Sequence, residues 1–280
     1  MKKGIRIVLL VLISIVVLVA LILYYPNNTE LPIANQIAEA TIVKNCDYSI
    51  MGESYTDKIY EKYDNVKFGK QKQNVLELFK KPIDWIVLEK NERAALLLSK
   101  YIIDCKAFDY VDIEAIDNES DDVKDKFKNI DWGKSSLRKW LNKDFLNSSF
   151  DMSEKEKILD TYLRDANTND KIFCLSEEEY MKYFDNGQYY EKDRELGNYH
   201  IYYNGATVRN KRAQRYDKYN FFQPDETYVY WLRDKSINLD EQGVEFGSTK
   251  VVGSYGEINS LININMYCGV RPAMWVSLEQ

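Results

Sequence analysis

Few residue types in this chain could carry catalysis. The only histidine, His200, sits in Asn198-Tyr-His-Ile-Tyr202, and no motif sets a serine or cysteine beside it as a nucleophile–base pair. A general base is one reading of His200; a solvent-facing or hydrogen-bonded histidine is the plainer one. Cys46, Cys105, Cys174 and Cys268 are far apart and form no C-x-x-C pair, so the clustered ligands that zinc needs are missing. Four cysteines in an exported chain permit disulfides in three pairings. Cys105 and Cys174 nevertheless lie in apolar, strand-like stretches (YIIDCKAF and KIFCLS), which favours buried free thiols. Asp165-Ala-Asn-Thr-Asn169-Asp170 copies the first half of a calcium loop. Its sixth position is Asp170 rather than glycine and its twelfth is Ser176 rather than glutamate, so a polar turn explains it as well. The acidic stretch Asp112–Asp122 reads as a solvated loop, with weak cation binding as the sharper alternative. These residues give no catalytic set, no metal ligand set and no cofactor site.

Binding chemistry has more support. Aromatic residues are dense from Tyr180 to Trp231, several of them in hydrophilic surroundings, with Arg209, Lys211, Arg212 and Arg215 interleaved. Tyrosine and tryptophan give rigid amphipathic contact area, and arginine gives donors for carboxylates or sugar hydroxyls. The candidate binding residues are Tyr202, Tyr203, Arg209, Arg212, Trp231, Arg233 and Arg271. A long loop packed by its own aromatics is the competing reading of this region. Arg233 and Arg271 fall in apolar runs, where an unpaired guanidinium would cost several kcal/mol, so structural pairing comes first and ligand recognition second.

The elements that must position these residues follow from patterning. Val66–Phe68 before Gly69 reads as a strand, and Trp85–Glu89 and Ala94–Ser99 around a polar interval read as a hairpin. Ser136 is expected to cap a helix carrying Leu137, Trp140, Leu141 and Phe145 on one face. Ser153-Glu-Lys-Glu156 and Ser176-Glu-Glu-Glu179 read as capping boxes of two more helices, the first running through Ile158 and Leu159. Lys171–Leu175 reads as a strand between them. Tyr228–Leu232, Thr249–Val252 and Val270–Val276 return the chain to strands, Pro272 demoting the last to an edge or a bulge. Strands at both ends with about three helices between them make the fold class α+β; a twisted, mainly antiparallel sheet is what the resemblance given below implies. With 45% hydrophobic and 29% charged residues, wholesale disorder is excluded.

Seven segments in register resemble a bacterial family known only as the domain of unknown function numbered 6273. They are Val66-Lys-Phe-Gly69, Pro82-Ile-Asp-Trp-Ile-Val-Leu88, Ala95-Leu-Leu-Leu-Ser-Lys100, Ser136-Leu-Arg-Lys-Trp-Leu-Asn142, Asp170-Lys-Ile-Phe173 with Leu175-Ser176, Trp231-Leu-Arg233 and Gly269-Val-Arg-Pro-Ala273. The family implies no catalytic residues. A tryptophan–arginine strand followed by the late G-V-R-P-A run is also similar to the C-type-lectin-like fold of formylglycine-generating enzymes. That likeness implies irregular, twisted antiparallel sheets. Cys268 has no neighbouring cysteine, so the oxidase activity of those enzymes is not carried over.

Ile7–Leu23 is apolar except for Ser14 and would span about 25 Å as a helix. Lys2, Lys3 and Arg6 precede it and no basic residue follows until Lys44, which sets the N-terminus in the cytoplasm. A cleaved signal peptide is the competing reading, but the run is long and Leu21–Pro26 offers no small-x-small site. The expected organisation is a cytoplasmic tip and transmembrane anchor (1–25), a stalk (26–62) with a short helix around Ile33–Ala40, and an extracellular domain (63–280). Taking Lys2, Lys3 and Arg6 from 38 basic residues leaves 35 against 44 acidic ones, a balance of −9 that disfavours nucleic acid and anionic lipid. The expected protein is a single-pass cell-membrane protein contacting the bilayer through residues 7–23. Its exported domain would be non-catalytic and bind a glycan, a peptide or a surface protein. A carboxylate-based envelope hydrolase and a purely structural envelope component are the alternatives.

Overall fold

Two stretches of chain run side by side and cross together from one sheet to another. The first carries β3 (Ala94–Ser99) and β4 (Asp104–Lys106); the second carries β12 (Cys268–Val270) and β13 (Ala273–Ser277). β3 pairs with β13 and β4 with β12, both antiparallel. The computed structural model in which this is seen describes residues 33, 64–72, 79–110, 131–184, 188–192, 199–203, 207, 209–214, 228–239, 245–261 and 264–279.

On one side of the crossing, β1 (Asn65–Gln71) and β2 (Lys81–Lys90) extend a four-stranded antiparallel sheet in the order β1-β2-β3-β13. All six residues of β3 are buried, which is why AALLLS reads as a continuous apolar run instead of alternating. On the other side, β9 (Tyr230–Leu239), β10 (Glu245–Val252) and β11 (Ile258–Leu261) complete a five-stranded sheet, β11-β10-β9-β12-β4. Its β12–β9 contact is parallel, through Gly269 and Tyr230; its other pairings are antiparallel. The helices lie between the halves of the chain, so the described fold is α+β with mostly antiparallel sheets.

The run expected as one strand, Val270–Val276, is two strands. Arg271 and Pro272 form the link, and proline's missing N–H suits a place where the chain leaves one ladder before joining the next. Pro272 marks a corner, not a bulge. The ladder continues across it through Ile103 N–H to Val270 O and Ser99 N–H to Pro272 O.

Three helices start where a side chain takes free N–H groups, though not always at the expected residue. α1 (Ser136–Trp140) is capped by Ser135, whose Oγ accepts from Arg138 N–H; Ser136, the expected cap, instead donates its own N–H to Asp109 Oδ1. A π-turn (Leu141–Phe145) continues α1 into α2 (Leu146–Ser149). α3 (Met152–Lys157) opens on a capping box formed by Asp151 and Glu154, two residues before the expected one, and stops before Ile158. The Glu154 N–H holds the Asp151 carboxyl below its ordinary range, with the Ser153 hydroxyl adding to the effect. The Ser176–Glu179 box at α4 (Glu177–Phe184) forms in both directions.

Lys171–Leu175 is not a strand. Only Phe173 bridges, exchanging hydrogen bonds with Ala273, while the adjacent hairpin consists of β5 (Thr161–Leu163) and β6 (Thr168–Asp170). Asn167, with φ of 51°, turns that hairpin, asparagine being among the few side chains that tolerate this region.

No helix among the described residues is long and apolar enough to cross a membrane; Ile7–Leu23 lies outside them. So does nearly all of the expected stalk. Ile33 is the exception, a helical residue only 5% exposed among the core side chains.

Phe150 ties the first sheet to the helices. Its ring packs 5.3 Å from Phe68, 6.4 Å from Trp85 and 5.7 Å from Phe145, and Trp85 Nε1 donates to Phe68 O at 2.7 Å. Gly69 sits against that ring in the left-handed region at φ 67°, beside the register shift in β1. A Cβ there would lie 2.5 Å from Phe150 Cε1. Gly69→Ala therefore combines a left-handed penalty with overpacking and should lower stability by about 2–4 kcal/mol in denaturant unfolding. An unchanged midpoint would mean that this contact is absent.

Candidate functional site

The candidate residues gather around β9 and the sheet corner, and most are interior. Trp231 is fully buried; its Nε1 donates to Lys106 O at 2.8 Å and its ring meets Phe108 edge-on at 5.5 Å. It is part of the core and offers no surface to a ligand.

Arg233 is almost as deep. Asp165 takes its Nε and Nη2 at 2.8 and 2.9 Å, and Glu179 takes Nη1 and Nη2 at 2.5 and 3.0 Å. Nη1 also donates to Cys174 O at 2.9 Å. A guanidinium has five N–H donors, and these bonds use all five. Burial opposes the charge, but the Glu179 and Asp165 carboxylates outweigh it and raise the guanidinium above its ordinary value. Arg233 thereby joins β9 to α4, to the β5–β6 turn and to the chain at Cys174.

Arg271 sits at the corner. Its Nε donates to Ser99 O at 3.0 Å, Nη1 to the Tyr230 hydroxyl at 3.1 Å and Nη2 to Lys100 O in a long contact of 3.5 Å. The Phe184 and Tyr230 ring centres are each 5.3 Å from Cζ. Arg212 Nε donates to the buried Asp104 Oδ2 at 2.8 Å, fastening α5 (Lys211–Gln214) to β4. Arg209 is 3% exposed with Cζ 4.3 Å above the Tyr228 ring, and its backbone bridges Ile102. Tyr202 and Tyr203 lie on β8 (Tyr199–Tyr203), paired opposite Tyr189 and Gln188 of β7 (Gln188–Lys192). Their side chains, like those of His200, lie outside the described residues.

The sequence points to the acids that these arginines need only in other roles, Glu179 in a capping box. Asp165 and Asp170, read as half of a calcium loop, serve arginines instead: Asp170 accepts from Arg138 Nε at 2.6 Å and from Trp132 Nε1 at 2.9 Å. Among the described residues no three His, Cys, Asp or Glu side chains are grouped to hold a metal ion. Cys105, Cys174 and Cys268 are buried thiols outside any disulfide, and burial pushes the Cys174 thiol up to about 12. Such a thiol stays protonated and unreactive.

One further polar group shares three side chains. Glu89 Oε2 accepts from Lys182 Nζ and Tyr183 Oη, both at 2.6 Å, and Lys182 Nζ lies 3.0 Å from Tyr183 Oη. Glu89 raises the lysine, while burial and then Glu89 push the tyrosine up to about 12. Both groups hold their protons more firmly than usual, the reverse of what a base needs.

Over residues 92–278 the chain matches the family described as Domain of unknown function (DUF6273), and it belongs to that family. No curated protein and no solved structure matches it. The match begins in the β2–β3 turn, yet β1 and β2, which precede it, complete the first sheet.

Asp234, next to Arg233, gives this region a pH signature. Burial raises its pKa above the ordinary 3.8, against the pull of the Glu177 N–H it accepts at 2.6 Å and of Arg233. The fold prefers the neutral acid, so this contribution is fully present below the unfolded value and is lost as pH rises through the raised one. Asp234→Asn keeps the acceptor and removes the desolvated charge. Its Tm at pH 7 should equal the parent's or exceed it by up to roughly 4 °C, with a flatter profile in the acid range. A clear loss of Tm at pH 7 would show that the ionised form is the one the fold needs.

Proposed function

We propose that the chain is a membrane-tethered, extracytoplasmic, non-catalytic binding domain for a glycan, a peptide or a neighbouring surface protein. The observation that carries this reading is the way the aromatic-rich stretch between α4 and β9 is pinned. Thr207 Oγ1 donates to Lys100 O, Asn210 N–H to Ile102 O, Tyr228 N–H to Thr207 O, and Arg212 pairs with Asp104. β7 and β8 form a two-stranded ribbon of their own, outside both main sheets. Buried polar bonds thus hold the base of a stretch whose composition suits recognition. Tyr202 and Tyr203 are the residues assigned to contact, whereas Arg212, Arg233 and Arg271 serve the support beneath.

The anchored, exported placement rests on the apolar run Ile7–Leu23 and its flanking charges. Two mostly antiparallel sheets, with a long stretch of chain between α4 and β9, also suit a C-type-lectin-like reading of the fold. The full chain in detergent, screened on glycan and peptide arrays, should bind a restricted ligand set, and Tyr202→Ser with Tyr203→Ser should weaken that binding at least tenfold while leaving Tm unchanged. Silence on both arrays would overturn the reading.

A further inference from the structure

The bonds beneath the aromatic stretch converge on one short piece of chain, residues 100–105, which links β3 to β4. Thr207 Oγ1 donates to Lys100 O at 3.0 Å, Asn210 N–H donates to Ile102 O at 2.8 Å, and Arg209 bridges Ile102. Arg212 Nε donates to Asp104 Oδ2 at 2.8 Å, and Cys105 Sγ lies 3.7 Å from Ala213 O. The turn of α5 is itself set by Asn210, whose Oδ1 accepts from the N–H groups of Arg212 and Ala213, both at 3.0 Å.

Apolar burial contributes little to this attachment. The described side chains are Thr207, Arg209, Asn210, Arg212 and Ala213, of which only Ala213 belongs to the hydrophobic core. A segment held by polar bonds over so little apolar contact belongs to the low end of local stability, whereas β3, buried at every residue, belongs to the high end. Asp104 is the most constrained of these polar groups. Its side chain is fully buried, with Oδ1 accepting from Cys105 N–H at 2.9 Å and Oδ2 accepting from Arg212. A buried carboxylate needs its cationic partner, so the place of α5 is tied to that of β4. Lys100 O is shared: besides Thr207 Oγ1 it takes Arg271 Nη2 in the long contact of 3.5 Å. The seat of this segment and the sheet corner meet at that carbonyl.

We propose that residues 207 and 209–214 form a strap that opens and closes as one unit on residues 100–105, with Asp104 as its positioning residue. The proposal deepens the binding reading above and rests on it for its role. The β7–β8 ribbon belongs to neither main sheet, and the chain that leads from it to β9 is fastened at this seat. A ligand that orders the aromatic stretch favours the closed strap, and through Lys100 it steadies the corner as well.

Hydrogen–deuterium exchange of the full chain in detergent, read by mass spectrometry, tests this without any ligand. Asp104→Asn keeps an acceptor for Cys105 N–H but turns an amide donor towards Arg212 Nε. Peptides covering 209–214 should exchange about tenfold faster in this variant, with those of β3 and β13 unchanged. Unchanged exchange at 209–214 would overturn the proposal. So would equal acceleration in β3 and β13, which would make Asp104 a general core residue. Should Asp104→Asn fail to fold, Thr207→Val decides in its place by removing the hydroxyl that reaches Lys100 O. The same acceleration confined to 209–214 supports the strap, and a uniform change or none contradicts it. Silence on the glycan and peptide arrays would remove the binding role alone, because the exchange result is obtained without ligand.

Discussion

The fold depends on how two adjacent strands change sheets together. At this corner Pro272 accepts from Ser99 N–H but has no N–H to return, so a carbonyl of the neighbouring strand loses its ladder donor. A buried carbonyl left so costs about 1–3 kcal/mol. Arg271 collects the carbonyls of Ser99 and, at longer range, Lys100 with one guanidinium, and rests it between the rings of Phe184 and Tyr230. The corner thereby joins the last strands, the centre of the first sheet, the end of α4 and the start of β9.

Arg233 repeats the principle one step further along β9. Its five donors are spent on Asp165, Glu179 and Cys174, so it stabilises the frame and has no N–H to offer a ligand. Arg212 does the same for the segment that precedes β9. Cations that look like recognition groups in the sequence are fasteners in the fold. On the proposed reading, recognition falls to the aromatic stretch whose base they secure.

Local signals in the sequence suffice where the physics is local. The β2–β3 hairpin and the Ser176–Glu179 box follow from patterning and capping within a few residues. They do not suffice where two local options compete. Ser135 and Ser136 are both fit to cap α1, and the choice falls to Asp109, 27 residues away, which takes the Ser136 N–H. Lys171–Leu175 has strand composition but finds a partner only at Phe173. In Val270–Val276 only Pro272 signals a break, and nothing local says that the two halves belong to different sheets. That Arg233 and Arg271 needed partners was legible from burial cost; which partners was not, because Asp165 and Glu179 are 68 and 54 residues from Arg233. Tyr202 and Tyr203 were legible as composition, and only their strand pairing adds to that.

Thermal unfolding of Arg271→Met beside the parent chain tests the central claim most directly. Methionine fills the volume but leaves the Ser99 carbonyl without its guanidinium donor, while Lys100 O keeps the Thr207 hydroxyl. The account predicts a Tm lower by roughly 5–10 °C. An unchanged Tm would contradict it and return this arginine to the pool of ligand-facing groups.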